Sequence, residues 1–219
     1  MIIGPKDLEK KKKLGAEILK ELRKIHPDAK IALKYKNNMQ LLAAVIMSAQ
    51  CTDKKVNEVT ETLFKKYKTV DDFADADIKI FEKEIYQTGF YHAKARNIIA
   101  AAKMLRKEFK GVLPRSMEEI LRLPGVARKT ANVVLGNAYG VVEGIAVDTH
   151  VKRLSKLYGL TNETDPVKIE RDLMQIIPKK DWFKFTYMLI DYGRKECPAR
   201  PHLHDSCPLV KISEKYKIK

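Results

Sequence analysis

The 219 residues hold 43 Lys plus Arg against 28 Asp plus Glu, a formal charge of +15, with 45% hydrophobic and 32% charged side chains. This mixture excludes a disordered chain, a collagen and a disulfide-held miniprotein; the longest apolar run, 41–47, falls far short of the roughly 20 residues of a bilayer-spanning helix, and no signal-peptide core follows Met1. Three cysteines, an odd number, fit a reducing compartment, so a cytoplasmic, nucleoid-associated protein with no membrane partner is expected, and the positive surplus makes nucleic acid the leading partner class.

Apolar residues recur at three- and four-residue spacing almost throughout, and no strand-length run of strict alternation stands out, which predicts an all-α fold. In chain order the expected helices cover 7–25, 38–49, 53–67, 72–85, 92–109, 117–123, 128–138, 149–158, 166–177 and 181–195. Ser116 with Glu119 makes a capping box, and Asp165 before Pro166 supplies an N-cap and a preset first-turn φ. Asp148, ahead of Thr149-His150-Val151, is likewise a good N-cap. No repeat or low-complexity linker interrupts the pattern, so any domain division runs through packed helices. The Lys-rich stretches 10–13 and 211–219 read as solvated tails.

Met117, Ile120 and Leu121 mark the buried face of one short helix, Pro124-Gly125-Val126-Ala127 breaks it, and Ala131, Val134, Leu135 and Ala138 mark the buried face of the next. Proline cannot continue the first helix and Gly125 permits backbone geometry that a Cβ opposes, so consecutive amides turn outward at a helix start. Such orphan donors at the positive end of a helix suit a phosphate oxygen, and Arg128 and Lys129 beside them favour a DNA backbone. At roughly 100° per residue Lys129 lies opposite the apolar stripe of its own helix. The like charge of Arg128 and the helix dipole disfavour its ammonium form, as a nucleophilic lysine requires, although on this physics alone a phosphate contact is the commoner role.

The stretch Leu123-Pro124-Gly125-Val126-Ala127-Arg128-Lys129-Thr130-Ala131-Asn132-Val133-Val134, followed by Val147-Asp148-Thr149-His150, resembles the helix-hairpin-helix DNA glycosylases, and within them the endonuclease III family. Ser48-Ala49-Gln50-Cys51-Thr52-Asp53, Gly89-Phe90-Tyr91 and Lys94-Ala95 agree in order and spacing, so the likeness spans roughly residues 15–210. The resemblance implies two helical domains with a DNA-binding cleft between them. One is a six-helix barrel at 31–141 carrying the hairpin at 116–138; the other is built from 1–30 and 142–219.

It further implies a monomer acting in base-excision repair on double-stranded DNA with damaged bases or abasic sites, a bifunctional glycosylase and AP lyase that removes oxidised pyrimidines. The catalytic lysine and aspartate fall on Lys129 and Asp148. Neutral Lys129 would attack C1′ of a flipped nucleotide and form a Schiff base that permits β-elimination, while Asp148 stabilises the cationic sugar; no metal is needed. Gln50 and Phe90 fall where the family fills the gap in the duplex, with Phe90 in place of the common leucine, and Gly125, Ala127, Arg128, Thr130 and His150 join the DNA contacts. Two other readings stay open: a monofunctional mismatch or alkylation glycosylase using Asp148 and water, and a non-catalytic scaffold for damaged duplex.

The family usually ends in four cysteines, spaced C-x6-C-x2-C-x5-C, that hold a [4Fe-4S] cluster. Here those places read Cys197, His204, Cys207 and Ser213, and a serine hydroxyl is a hard, protonated substitute for a thiolate. The expectation is a degenerate loop at 197–213 with no cluster and no cofactor, stiffened by Pro198, Pro201 and Pro208. Zinc on Cys197, His202, His204 and Cys207 is the alternative.

Overall fold

The structure, a computed structural model, describes residues 5–204 and 207–216. Among the described residues every regular element is helical. The α-helices are α1 (Pro5–Ile25), α2 (Asn38–Met47), α3 (Asp53–Lys66), α4 (Val70–Ala74), α5 (Ile78–Ile85), α6 (Tyr91–Glu108), α7 (Met117–Ile120), α8 (Arg128–Tyr139), α9 (Thr149–Leu157), α10 (Pro166–Ile176), α11 (Trp182–Lys195) and α12 (Pro208–Glu214). Short 3-10 turns occupy Tyr86–Thr88 and Lys179–Asp181. None of the described helices is long and apolar enough to cross a membrane.

The chain divides into two compact units, Ala32–Glu143 and the pair Met1–Ile31 with Gly144–Lys219. The first is built around α2, which is apolar at nearly every position and buried from Met39 to Met47, so α3, α6 and α8 pack around it. The buried polar side chain of α2, Gln40, is satisfied: Nε2 donates to the Phe64 and Tyr67 carbonyls at 3.3 and 3.1 Å, and Oε1 accepts from the Lys36 amide at 2.9 Å. In the second unit α1 packs on α10, α11 and α12, and α9 on α10 and α11.

The expected helix at 72–85 is two helices, α4 and α5. Thr69 and Asp72 form a capping box that starts α4, and Asp77 accepts from the Ile80 amide at 2.9 Å to start α5. Aspartates in the middle of the segment bind local backbone instead of continuing the helix, and period-based reading sees only the shared apolar stripe. Lys10–Lys13 do not form a tail: they lie in α1, where Lys11 is buried and donates to the Leu160 carbonyl at 3.3 Å. Lys211 lies in α12, while 217–219 fall outside the described residues. Helix α12 also replaces the latter half of the expected loop at 197–213; Pro208 opens it, and Leu209 is fully buried with its amide donating to the Tyr192 hydroxyl at 3.2 Å.

Candidate active site and nucleic-acid interface

Ser116 caps α7, accepting the Glu119 amide at 3.2 Å while its hydroxyl donates to the Glu119 carboxylate at 3.0 Å. Met117 and Ile120 are buried as expected, whereas Leu121 is 40% exposed because the helix ends at Ile120 and the chain is already turning. Leu123 and Val126 are buried and tie the turn, the Val126 amide donating to the Leu123 carbonyl at 3.1 Å. Gly125 sits between them with φ of 78°, and a Cβ there would fall 2.8 Å from the Asn97 Cβ on α6. Both the dihedral and the close approach require glycine.

Ala127 then stands as N-cap of α8 in extended conformation, and no side chain caps the helix. No capping side chain accepts from the first amides of α8, and a helix start of this kind is suited to a phosphate. Gly125, Ala127 and Lys129 are exposed, Arg128 and Thr130 half-buried. Ala131, Val134 and Leu135 are fully buried and Ala138 half-buried, so Lys129 does project from the face opposite the apolar stripe.

Asp148 is the N-cap of α9, with Oδ1 accepting the Val151 amide at 2.8 Å. The approach strand of backbone is held by buried Ile145, Ala146 and Val147, with Thr186 Oγ1 donating to the Ala146 carbonyl at 3.2 Å. His150 is half-buried and its Nδ1 side faces α11 at Gly193, where a Cβ would stand 2.7 Å away. That edge of the ring is thus a packing surface between α9 and α11.

Gln50 and Phe90 share an uncommon feature. Both are exposed, Phe90 to 67%, and both have left-handed backbone, with φ of 52° and 48°. The only other described non-glycine residue with positive φ is Lys110. Such conformations cost of order 1 kcal/mol and persist where the surroundings hold them. Between the two turns lies Lys94, which is buried on α6 and whose Nζ donates to the Met47 and Thr88 carbonyls, each at 2.7 Å. One ammonium ties the end of α2, just before the Gln50 turn, to the 3-10 turn that leads into Gly89-Phe90. Burial lowers Lys94 from its ordinary lysine range, a shift the neighbouring Cys51 opposes. Lys94 is nevertheless enclosed by the carbonyls it serves, so it cannot act as a nucleophile. Sequence reading passed over this role; the available signal was a lysine in register with buried Ile98, Ala102 and Leu105 on α6.

Near the C-terminus, Cys197 and Cys207 are buried and reduced, and one ligand atom from each of Cys197, His202, His204 and Cys207 lies within 4.8 Å of the others. This group could hold a metal ion. Ser213, at the family's fourth ligand place, instead donates its hydroxyl to the Val210 carbonyl of its own helix at 2.8 Å.

Comparison with known proteins decides the lineage. The description "HhH-GPD superfamily base excision DNA repair protein" matches residues 43–179, a span that includes Gln50, Phe90, the hairpin and Asp148. Endonuclease III of Synechocystis sp. is 50% identical over 92% of each chain, and that of Bacillus subtilis 42% identical over 89% of each. The chain belongs to the endonuclease III family. A solved non-covalent endonuclease III–DNA complex superposes with a TM-score of 0.88 at 42% identity, covering 93% of this chain and 97% of that one. A trapped endonuclease III–DNA covalent intermediate, an estranged-adenine complex, matches with the same figures. A thermostable thymine-DNA glycosylase, 22% identical with a TM-score of 0.76, shares the fold.

Proposed function

We propose that this member of the endonuclease III family removes oxidised pyrimidines from duplex DNA with Lys129 as nucleophile and then cleaves the strand at the abasic site by β-elimination. The observation that carries this reading is an exposed lysine at the uncapped start of α8, directly after the phosphate-binding turn at Gly125. A phosphate held by the α8 amides brings the adjoining deoxyribose to that amine. The covalent intermediate trapped for the 42%-identical relative supports a nucleophile on the protein, and its estranged adenine supports residues that contact the orphaned base. Base excision by a glycosylase with AP lyase activity is the family's chemistry.

Lys129 Nζ attacks C1′ as the damaged base leaves with the bonding electrons, giving an N,O-acetal that passes a proton from nitrogen to O4′ and opens at the C1′–O4′ bond to a Schiff base. Its cationic nitrogen acidifies C2′–H, and loss of that proton expels the 3′ phosphate. Asp148 stabilises the cationic sugar; its cap to Val151 engages one oxygen, and a carboxylate has a second oxygen to offer. Gln50 hydrogen-bonds the orphaned base and Phe90 replaces lost stacking, both presented in fixed positions by their left-handed turns. Arg128, Thr130 and the backbone at Gly125 and Ala127 hold phosphate, and His150 contributes a further DNA contact at the start of α9.

No step draws on a metal. The C-terminal residues do not fit a [4Fe-4S] cluster: only two cysteines stand at its four ligand places, and the Ser213 hydroxyl is committed to Val210. A lesion panel in duplex DNA tests the assignment by scoring base release and strand cleavage separately. Oxidised pyrimidines should give both, Lys129→Ala should lose at least about 100-fold in each, and base release without cleavage in the wild type would contradict the lysine mechanism.

A further inference from the structure

We propose that Cys197, His202, His204 and Cys207 form a tetrahedral structural zinc site in the segment joining α11 to α12. With zinc–sulfur bonds of about 2.3 Å and zinc–nitrogen bonds of about 2.0–2.1 Å, tetrahedral geometry sets ligand-to-ligand separations of roughly 3.4–3.8 Å. Cys197 Sγ lies 3.8 Å from His204 Nδ1, and His202 Nε2 lies 3.2 Å from Cys207 Sγ. All four ligand atoms fall within 4.8 Å, so the set closes on an ion with movements of about 1 Å or less.

The surroundings select the ligand state. His202 Nδ1 is 2.9 Å from the Arg200 carbonyl, which only accepts, so the proton sits on Nδ1 and the Nε2 lone pair points toward Cys207. Arg153 Nη1 lies 3.8 Å from Cys197 Sγ and Nη2 donates to the Cys197 carbonyl at 2.5 Å, which fixes the backbone at the first ligand. Zinc accepts two sulfur and two nitrogen ligands, and four protein ligands leave no open position, so the ion is structural. His202 lies outside the family's cluster spacing, and the site works without Ser213.

The segment also lacks another means of cohesion. Between Cys197 and Cys207 none of the described residues is buried, and Leu203 is 82% exposed. Four convergent soft ligands in a stretch with no core of its own mark where a metal substitutes for packing.

Metal analysis of the purified full-length protein, expressed with both zinc and iron supplied, tests this. The expected result is one zinc per chain, no iron and no acid-labile sulfide. His202→Gln and Cys207→Ser should each lose the zinc, and Ser213→Ala should keep it. Chelation should lower Tm by at least about 5 °C, with recovery on adding zinc alone and none on adding ferrous iron and sulfide. Cobalt substitution should give the intense visible bands of a tetrahedral sulfur–nitrogen set, absent in His202→Gln. The proposal is overturned by a folded wild type that takes up no zinc, by iron with sulfide, by a Cys197–Cys207 disulfide, or by full zinc retention in His202→Gln.

Discussion

Two lysines show how position outweighs residue type. Lys129 is exposed just after the Gly125 turn, and Lys94 is enclosed by the two carbonyls it bridges. Replacing Lys94 by Met leaves both carbonyls without their donor, at about 1–3 kcal/mol each, and frees the turns that present Gln50 and Phe90. Lys94→Met should therefore lower Tm and weaken lesion-duplex binding, and Lys94→Arg should restore part of each; Tm and duplex titration measure them. The pH dependence has a definite sign. Because burial lowers Lys94 in the folded chain, the unfolded chain binds its proton more strongly between that lowered value and the ordinary lysine value. Wild-type stability relative to Lys94→Met should accordingly rise with pH across that alkaline window in denaturant titrations, and a flat difference would show that Lys94 does not titrate there. The exposed placement of Lys129 was legible in the sequence because it lies opposite the apolar stripe of its helix, whereas its catalytic role came from the family resemblance. The role of Lys94 was not legible, since what it serves are carbonyls 47 and 6 residues away.

Caps and turns decide function at the level of elements. Asp148 caps α9, and Asn is as good a cap as Asp, so Asp148→Asn should leave Tm nearly unchanged while base release falls by about 10²–10³-fold. Asp148→Ala should lose activity and also about 1 kcal/mol of stability. Base release retained in Asp148→Asn and lost only with the cap in Asp148→Ala would mean that the cap is the residue's whole contribution. Gly125→Ala places a Cβ against Asn97 in a left-handed residue, for about 1–3 kcal/mol of destabilisation together with weaker DNA binding. The hairpin and most helices were readable because periodicity, Pro and Gly all agree there. The break between α4 and α5 was hidden under a continuous apolar stripe, and α12 under a basic stretch whose one buried anchor is Leu209.

Across the whole molecule the formal charge of +15 draws duplex DNA before any lesion is read. Affinity for undamaged duplex should fall about 10³-fold or more between 50 and 200 mM salt, as expected when several phosphates are neutralised; a shallow slope would remove the backbone-contact role of the hairpin. Fold class was evident from the three- and four-residue period, because no strand-length run of strict alternation competes with it. The direct test of the chemistry is borohydride reduction during turnover on a duplex carrying an oxidised pyrimidine, followed by mass-spectrometric mapping of the protein–DNA adduct. The account predicts a single adduct on Lys129, abolished in Lys129→Ala. An adduct on any other residue, or base release with no adduct at all, would contradict it.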